Sequence, residues 1–546
     1  MDEKSYVVIS EAPKIDYMKN YVALPKNYPS KEYFQRDDVK AIRDTVYKNL
    51  NELNAKINFV DKMKNKKVLI KPNLVSVYHN MGYKETDYPE STDPRVFEAV
   101  VSFFKQYTDN IVIIESSGRG MPTKVSFKVS GIDRVAKYYK TKCIALEHEP
   151  VVRYMLPKAE VMKEVYIPKI LEEVVNEEAF YISVPLMKTN LYTGVTLGTK
   201  NAMGTIPYNL RQRNHNYLIN KKLTDLLYLF KPHLTIIDGI IGGEGCTPAP
   251  VDPVSVGVII SGNNSVETDM VATRMMGIDP EKNKLMIEAV KRGFHQKNTI
   301  VIGNEKIVPF RPADPTLMND RFRKDFPNVK VLVGHMKNNA PVIKDINNVT
   351  TETVKIMEQV CDGGCVAAVK TAFEMMNYVD KLDKSFELVA ILGSGVEIEG
   401  KIYYFDVDGN AYDVEAIKNM KVKRVTFGEC TNHLKEFCEF NGDGCCSPSS
   451  CMLVPFKAIG ANMPILSPKN KHVVRIAIET LRTYFIRRKL IKSGKWVDCP
   501  YEAIDKIYEI PIQDEGDKQE DFIKWPLPQL KGELKYQRMK ENTIKL

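Results

Sequence analysis

The chain has 546 residues, of which 44% are hydrophobic and 27% are charged. This composition excludes a disordered chain. The chain is also longer than the segment that one hydrophobic core ordinarily contains, so we expect two or three globular domains. Lys and Arg outnumber Asp and Glu by 78 to 69, too small an excess to indicate a dedicated nucleic-acid-binding protein. The N-terminus lacks the order of a signal peptide, and no apolar run approaches the roughly 20 residues that span a bilayer. We therefore predict a cytoplasmic protein with neither nucleic acid nor a membrane as a partner.

The first half of the chain alternates strand and helix patterns, which is typical of a parallel α/β sheet. A helix is predicted from Asp93 to Lys105, because an Asp cap precedes Pro94 in the first turn. A second helix is predicted over 266–276. Short buried strands are predicted at 67–70, 111–114, 179–185, 234–239 and 256–260.

A second α/β segment begins near residue 330. Its predicted elements are strands at 331–334, 388–393 and 422–428 and a helix over 366–378. The fold class is therefore α/β, with a mainly parallel sheet in an N-terminal domain and a second, smaller, cysteine-rich α/β domain. The predicted divisions are an N-terminal extension (1–60), the first domain (61–325), the second domain (326–500) and a C-terminal arm (501–546).

A loop-rich segment after the strand at 179–185 carries most of the residues that predict a binding site. Lys and Arg side chains beside free backbone N–H groups can hold a phosphate or carboxylate, and ligands of parallel sheets bind beyond the carboxyl ends of the strands. Neither a P-loop nor a dinucleotide-binding glycine motif is present. A solvated basic loop is the alternative. The predicted substrate-binding residues are Lys71, Asn73, Thr189, Asn201, Arg211 and His215, with Lys188 and Lys200 as catalytic candidates.

Acidic residues follow two further predicted strands. Asp238 and Glu244 are candidate catalytic bases, and Asp238 with Asp269 could hold a divalent metal. For Asp269, a position near a helix N-terminus is an equal alternative.

Several of these motifs, taken in order, resemble the DUF362 family, a domain of unknown function. They are Ile70-Lys71-Pro72-Asn73, Pro185-Leu186-Met187-Lys188-Thr189, Lys200-Asn201 with Gly204, Asp238-Gly239 with Glu244-Gly245, and Asp269. The resemblance covers roughly residues 65 to 300. It implies an α/β domain that is frequently associated with iron–sulfur modules, but no general reaction.

Seven of the ten cysteines lie between residues 361 and 451. A cytosolic chain keeps its thiols reduced, so they do not predict a disulfide framework. Thiolates from a helix start and two loops could instead converge on an iron–sulfur cluster, [4Fe–4S] by preference, or on zinc. The spacing matches no standard ferredoxin or zinc motif, and ordinary buried thiols or a redox dithiol are the alternatives. The candidate ligands are Cys361, Cys365, Cys430 and Cys445, with Cys446 and Cys451 as substitutes.

The coexistence of an anion-type site with clustered thiols predicts an iron–sulfur redox protein, with an oxidoreductase as the preferred class of enzyme. Its partners would be an anionic small-molecule substrate and an electron-transfer protein. The sequence leaves open whether the chain forms a homo-oligomer. The alternatives are a metal-dependent ligase, transferase or lyase of non-redox type with a structural zinc or thiol site, or a protein that delivers a metal or cluster.

Overall fold

The α/β class predicted from the sequence is confirmed, and the sheets are mixed rather than purely parallel. The computed structural model describes residues 4–19, 24–75, 90–118, 121–208, 210–211, 218–247, 251–314, 316–334, 342–359, 364–377, 379, 382–442, 448–468, 470–496 and 536–538.

The strands are β1 (Tyr6–Glu11), β2 (Lys67–Pro72), β3 (Ile111–Glu115), β4 (Lys142–Ala145), β5 (Val151–Met155), β6 (Glu164–Pro168), β7 (Ala179–Val184), β8 (Leu186–Asn190), β9 (Gly194–Thr196), β10 (Leu234–Glu244), β11 (Asp252–Gly262), β12 (Ile300–Ile302), β13 (Val329–Val333), β14 (Leu388–Leu392), β15 (Val396–Ile398), β16 (Lys401–Phe405), β17 (Ala411–Asp413), β18 (Arg424–Phe427), β19 (Phe440–Gly442) and β20 (Gln537–Arg538).

The α-helices are α1 (Lys31–Gln35), α2 (Asp37–Ile57), α3 (Phe59–Lys62), α4 (Pro94–Lys105), α5 (Thr123–Ser130), α6 (Ile132–Tyr138), α7 (Lys169–Val175), α8 (Gly198–Asn201), α9 (Ile219–Leu226), α10 (Ser265–Met275), α11 (Lys284–Lys291), α12 (Asp320–Asp325), α13 (Thr351–Gln359), α14 (Gly364–Met376), α15 (Val414–Lys418), α16 (Pro448–Ala458) and α17 (Val473–Lys492). None of the helices within these described ranges is both long and apolar enough to cross a membrane.

The first sheet has ten strands, and its main path runs β12-β1-β11-β10-β7-β2-β3-β4. From β10 through β7, β2 and β3 to β4, each strand is parallel to the next, and β12 is parallel to β1, whereas β11 is antiparallel to both β1 and β10. Each predicted strand in this region is present, and β2 and β3 are buried along almost their whole length. The parallel half of the sheet therefore brings the carboxyl ends of several strands to one edge.

The predicted N-terminal extension contributes directly to this sheet. β1 pairs with β11 and β12, and α2 packs against β1 and β11. The buried Asn49 of α2 ties the two strands together, since its Nδ2 donates to the carbonyls of Val8 and Ile259, each at 3.0 Å.

The helix predicted at Asp93 begins as its sequence indicates. Pro94 occupies the first turn of α4, and the carboxylate of Asp93 accepts a hydrogen bond from the N–H of Arg95 at 2.8 Å. Asp93 and Arg95 also form a buried ion pair at 2.7 Å. The cap therefore fixes α4 beside the strand ends where the polar residues gather.

The second sheet has seven strands in the order β15-β16-β13-β14-β18-β19, with β17 joined to β16. β13, β14, β18 and β19 are parallel, and the remaining pairs are antiparallel. α14 and α16 pack against each other, and buried residues of both belong to the hydrophobic core of this sheet. A third, antiparallel sheet joins β20, β5 and β6.

Candidate functional site

Residues from three adjacent elements meet at the carboxyl edge of the parallel strands. Lys71 lies near the end of β2, opposite Ser183 of β7, and Asn201 ends α8. The Nζ of Lys71 donates to the Oδ1 of Asn201 at 2.8 Å, and the Nδ2 of Asn201 donates to the hydroxyl of Ser183 at 2.9 Å. The predicted convergence of Lys71 and Asn201 is therefore present in the structure.

A buried ion pair lies at the centre of this edge. The Nζ of Lys71 is 2.9 Å from the Oε2 of Glu115, at the end of β3, and both side chains are almost fully buried. The same carboxylate oxygen accepts the N–H of Leu74 at 3.1 Å. Burial lowers the pKa of Lys71 and raises that of Glu115, because desolvation penalises both charges, while their mutual attraction opposes both shifts.

The glycine of the Lys-Asn-x-x-Gly motif lies directly against this ion pair. A Cβ added to Gly204 would be 2.3 Å from the Oε1 of Glu115 and 2.6 Å from the Nζ of Lys71. The carbonyl of Gly204 also accepts the N–H of Ser116 at 3.0 Å. Only a residue without a side chain permits this approach, so the motif glycine is explained by packing on the ion pair.

Four cationic side chains surround this edge, and we call them the four-cation cluster: Lys71, Lys188, Lys200 and Arg211. Lys188 is fully buried, its Nζ donates to the carbonyl of Glu90, and burial lowers its pKa to about 8. The guanidinium of Arg211 donates to the carbonyls of Met203 at 2.6 Å and Ser116 at 2.7 Å. Burial lowers the pKa of Arg211 to about 10.

Lys200 differs from the other three cations. It is partly exposed, and it finds no hydrogen-bond acceptor among the residues that the structure describes. Desolvation and the positive charges of Arg211, Lys188 and Lys71 lower its pKa to about 7. Its amino group can therefore gain or lose a proton near neutral pH, and it can donate hydrogen bonds to an incoming anion.

The predicted acidic residues hold backbone segments in place. Asp238 accepts the N–H of Asp93 at 2.8 Å, and Asp269 accepts the N–H groups of Gly198 and Thr199, each at 2.7 Å. Burial raises the pKa of Asp269 to about 7. Glu244 points elsewhere, since its carboxylate accepts the N–H of Arg311 at 2.7 Å. The described part of the chain contains no group of three or more His, Cys, Asp or Glu side chains placed to hold a metal ion.

The role of Asp269 makes a testable prediction. Replacing Asp269 with Ala should lower the free energy of unfolding by about 1–3 kcal/mol, because two buried N–H groups at the start of α8 lose their acceptor. The Asp269→Asn variant retains one acceptor oxygen and should lose less. Urea unfolding of both variants measures the difference, and equal losses would contradict this capping role.

The remaining predicted residues divide into three groups. Asn73 joins the site, because its Nδ2 donates to the Oδ1 of Asn201 at 3.2 Å. Thr189 does not, since its hydroxyl donates to the carbonyl of Gly245 at 3.1 Å. His215 lies outside the described residues. Glu115 also belongs to the site. The sequence indicates it only by its position at the end of a strand, which many carboxylates share.

Two of the predicted thiolate ligands face each other across a glycine of the second sheet. Gly428, with a positive φ of 86°, follows β18, and a Cβ added there would lie 3.3 Å from the Sγ of Cys365 and 3.4 Å from that of Cys430. Cys365 begins α14, and Cys430 lies in the 3₁₀ helix Glu429–Phe437. Cys451 is fully buried in α16, in the same hydrophobic core as Cys365. Cys361, Cys445 and Cys446 lie outside the described residues.

Comparison with known proteins places the four-cation cluster within a recognised family segment. Residues 68–274 match the model of the family described as "Domain of unknown function (DUF362)". A segment of 120 residues, 21% of this chain, is 28% identical to a thylakoid-associated protein of Synechocystis sp. and covers 37% of that protein.

A Thermotoga maritima protein of known crystal structure is 11% identical, with a TM-score of 0.25, over 43% of this chain and 58% of its own. The matches span 37% of the length of the Synechocystis protein and 58% of the Thermotoga protein, less than two thirds in both cases. The family expectation drawn from the motifs is confirmed, and the clustered cysteines lie outside the matched segment. Residues 68–274 are thus a DUF362-like segment of this chain.

Proposed function

We propose that the protein is an oxidoreductase that binds an anionic small molecule at the four-cation cluster and carries a thiolate-bound iron–sulfur cluster beside the second sheet. The proposal rests on the surroundings of the Lys200 side chain. Its amino group lies among three other cations and has no acceptor within the described residues. An anion would supply both the missing acceptor and the missing negative charge.

The other members of the cluster have distinct tasks in this proposal. Arg211 is held by backbone carbonyls, and Lys71 is held by Glu115 and Asn201, so both keep their charges in fixed positions before a ligand arrives. Such prepositioned charges bind an anion without a further cost of reorganisation. Lys200 would make the direct contact and exchange a proton with the bound molecule, because its pKa of about 7 allows both protonation states near neutral pH.

The surroundings of Gly428 fit a thiolate-bound group. The thiols of Cys365 and Cys430 approach the same Cβ position, and the absence of a side chain at Gly428 keeps the space between them clear. The backbone N–H of Gly428 is already used, since it donates to the carbonyl of Gly442 at 2.9 Å. Cys365 and Cys430 would be two ligands, with the others drawn from Cys361, Cys445, Cys446 and Cys451. When bound, an iron–sulfur cluster supplies single electrons.

Iron and acid-labile sulfide measured on anaerobically purified protein test the redox part of the proposal. We expect both in stoichiometric amounts, and we expect Cys365→Ser and Cys430→Ser each to lower them strongly. Cys143→Ser is the matched control, because Cys143 lies in β4 of the first sheet. Stoichiometric zinc without iron would instead support a non-redox enzyme with a structural metal, and metal-free folded protein would overturn both.

A further inference from the structure

Helix α17 exposes a row of large apolar side chains to solvent. Val474, Ile478, Leu481 and Phe485 have exposed fractions of 68%, 58%, 59% and 63%. Soluble proteins seldom leave a contiguous row of this kind uncovered unless it takes part in an interaction. The row therefore marks a candidate docking surface.

The spacing of this row indicates what kind of surface would cover it. The four residues are separated by four, three and four positions, which is the a/d pattern of a coiled coil, with Ile478 and Phe485 at a. The opposite face of the helix is already used, because Ile476 and Thr483 are buried against the body of the protein. We call the row of four residues the seam; Tyr484, which is 44% exposed, adjoins it on one side. The four-three-four spacing of the seam is the pattern that packs against one partner helix.

The residues beside the seam specify the charge of the partner. With the same heptad register, the e positions of three successive heptads are occupied by Arg475, Arg482 and Lys489, and all three are exposed. The corresponding g positions are Ala477, Tyr484 and Ile491, which carry no charge. Charged residues at e and g positions set the partner choice and orientation of coiled coils.

This charge pattern disfavours a second copy of α17 as the partner. In an antiparallel pair the basic e positions of the two copies would face each other, and like charges in such positions repel. In a parallel pair they would face uncharged g positions and gain no ion pair. The seam is therefore better matched by a different helix.

We propose that α17 is a docking surface for an amphipathic helix of another protein, whose apolar a and d residues are flanked by Glu or Asp. The apolar seam would supply the affinity, and Arg475, Arg482 and Lys489 would select an acidic partner by charge-assisted pairs at its edge.

Two synthetic three-heptad peptides test this proposal on the full chain. Both carry Leu at a and d; one has Glu at e and g, and its twin has Lys there. We expect the Glu peptide to bind in a saturable manner, and the Lys peptide to bind at least about tenfold more weakly. Fluorescence anisotropy of labelled peptides measures both affinities.

Variants of α17 separate the seam from its charged edge. Arg475→Glu with Arg482→Glu should reverse the preference in favour of the Lys peptide. The double variant Ile478→Asp with Phe485→Asp should weaken the binding of both peptides by about 100-fold, because each substitution places a charge where an apolar side chain would be buried in the complex. Thr480→Asp, an exposed position of the same helix outside the seam, should change neither affinity. Thermal unfolding confirms that each variant remains folded.

Four results would overturn the proposal. One is no binding of either peptide, and another is binding that the seam and charge variants leave unchanged. A third is binding to phosphatidylglycerol vesicles in place of the Glu peptide, which would assign the seam to a lipid surface. The last is binding that begins only after residues 497–535 are deleted, which would show that the chain covers the seam itself.

Discussion

Replacing Lys200 with Met is expected to weaken sulfate binding by about tenfold or more near pH 6 and, at the same time, to stabilise the folded protein. The first effect follows because a hydrogen bond to a charged group contributes about 1.5–3 kcal/mol. The second follows because Lys200 lies among three like charges without an acceptor in the described part of the chain. Opposite signs for binding and stability are expected at a ligand site and not at a structural position.

The pH dependence of both effects has a defined direction. Lys200 is charged below its pKa of about 7, so sulfate should bind wild-type protein more tightly as the pH falls through 7. In the unfolded chain the pKa is near 10.5, so between 10.5 and about 7 the unfolded state binds more protons than the folded state. The stability penalty of Lys200 therefore grows as the pH falls across this window and is constant below it.

The stabilising effect of Lys200→Met should accordingly be largest at or below about pH 7 and should vanish near pH 10.5. Urea unfolding at several pH values, together with sulfate-dependent shifts in Tm, measures both effects. Lys200→Arg should bind sulfate with little pH dependence, because an arginine stays charged. Lys401→Met, an exposed lysine of the second sheet, is the control and should change neither quantity. A destabilising, pH-independent Lys200→Met would show that Lys200 has a structural role.

The sequence predicts where the site lies better than it predicts which side chains contact each other within the site. The buried strands and the Asp93-Pro94 helix start follow from local pattern, and parallel strands bring their carboxyl ends together wherever such a pattern repeats. Lys71 and Asn201 could therefore be expected to meet, although 130 residues separate them.

The choice between a metal ligand and a backbone cap depends on contacts that no local pattern encodes. From the sequence alone, Asp269 could be either a metal ligand or a backbone cap. The residues whose N–H groups it accepts, Gly198 and Thr199, lie 71 and 70 positions away in the chain. Likewise, the carboxylate that neutralises Lys71 could be any of several at strand ends, and only the β2–β3 register selects Glu115. The antiparallel placement of β11 also escapes a prediction from residues 256–260, because that stretch is as apolar as the parallel strands, and the alternating exposure typical of an antiparallel strand lies in the first half of β11.

Replacing Gly204 with Ala should lower the free energy of unfolding by about 3–5 kcal/mol, which is comparable to breaking a buried ion pair. The added methyl group would lie 2.3 Å from the Oε1 of Glu115 and 2.6 Å from the Nζ of Lys71. Neither side chain can withdraw freely, because Glu115 also holds Leu74 and Lys71 also holds Asn201. Sulfate binding should be lost with the ion pair. Gly442→Ala is the matched control, since its added Cβ would approach Phe427 only to 3.1 Å, and a smaller loss is expected.

A double-mutant cycle shows whether the ion pair is the cause. Glu115→Ala alone should cost about 3–5 kcal/mol, because it leaves Lys71 buried without its counter-charge. It also removes the carboxylate that the Gly204 methyl group would strike, so Gly204→Ala should cost much less in that background. We expect a coupling free energy of about 1–3 kcal/mol from urea unfolding of the four proteins. If the two losses simply add, contact with Glu115 is not the reason for the glycine in the Lys-Asn-x-x-Gly motif.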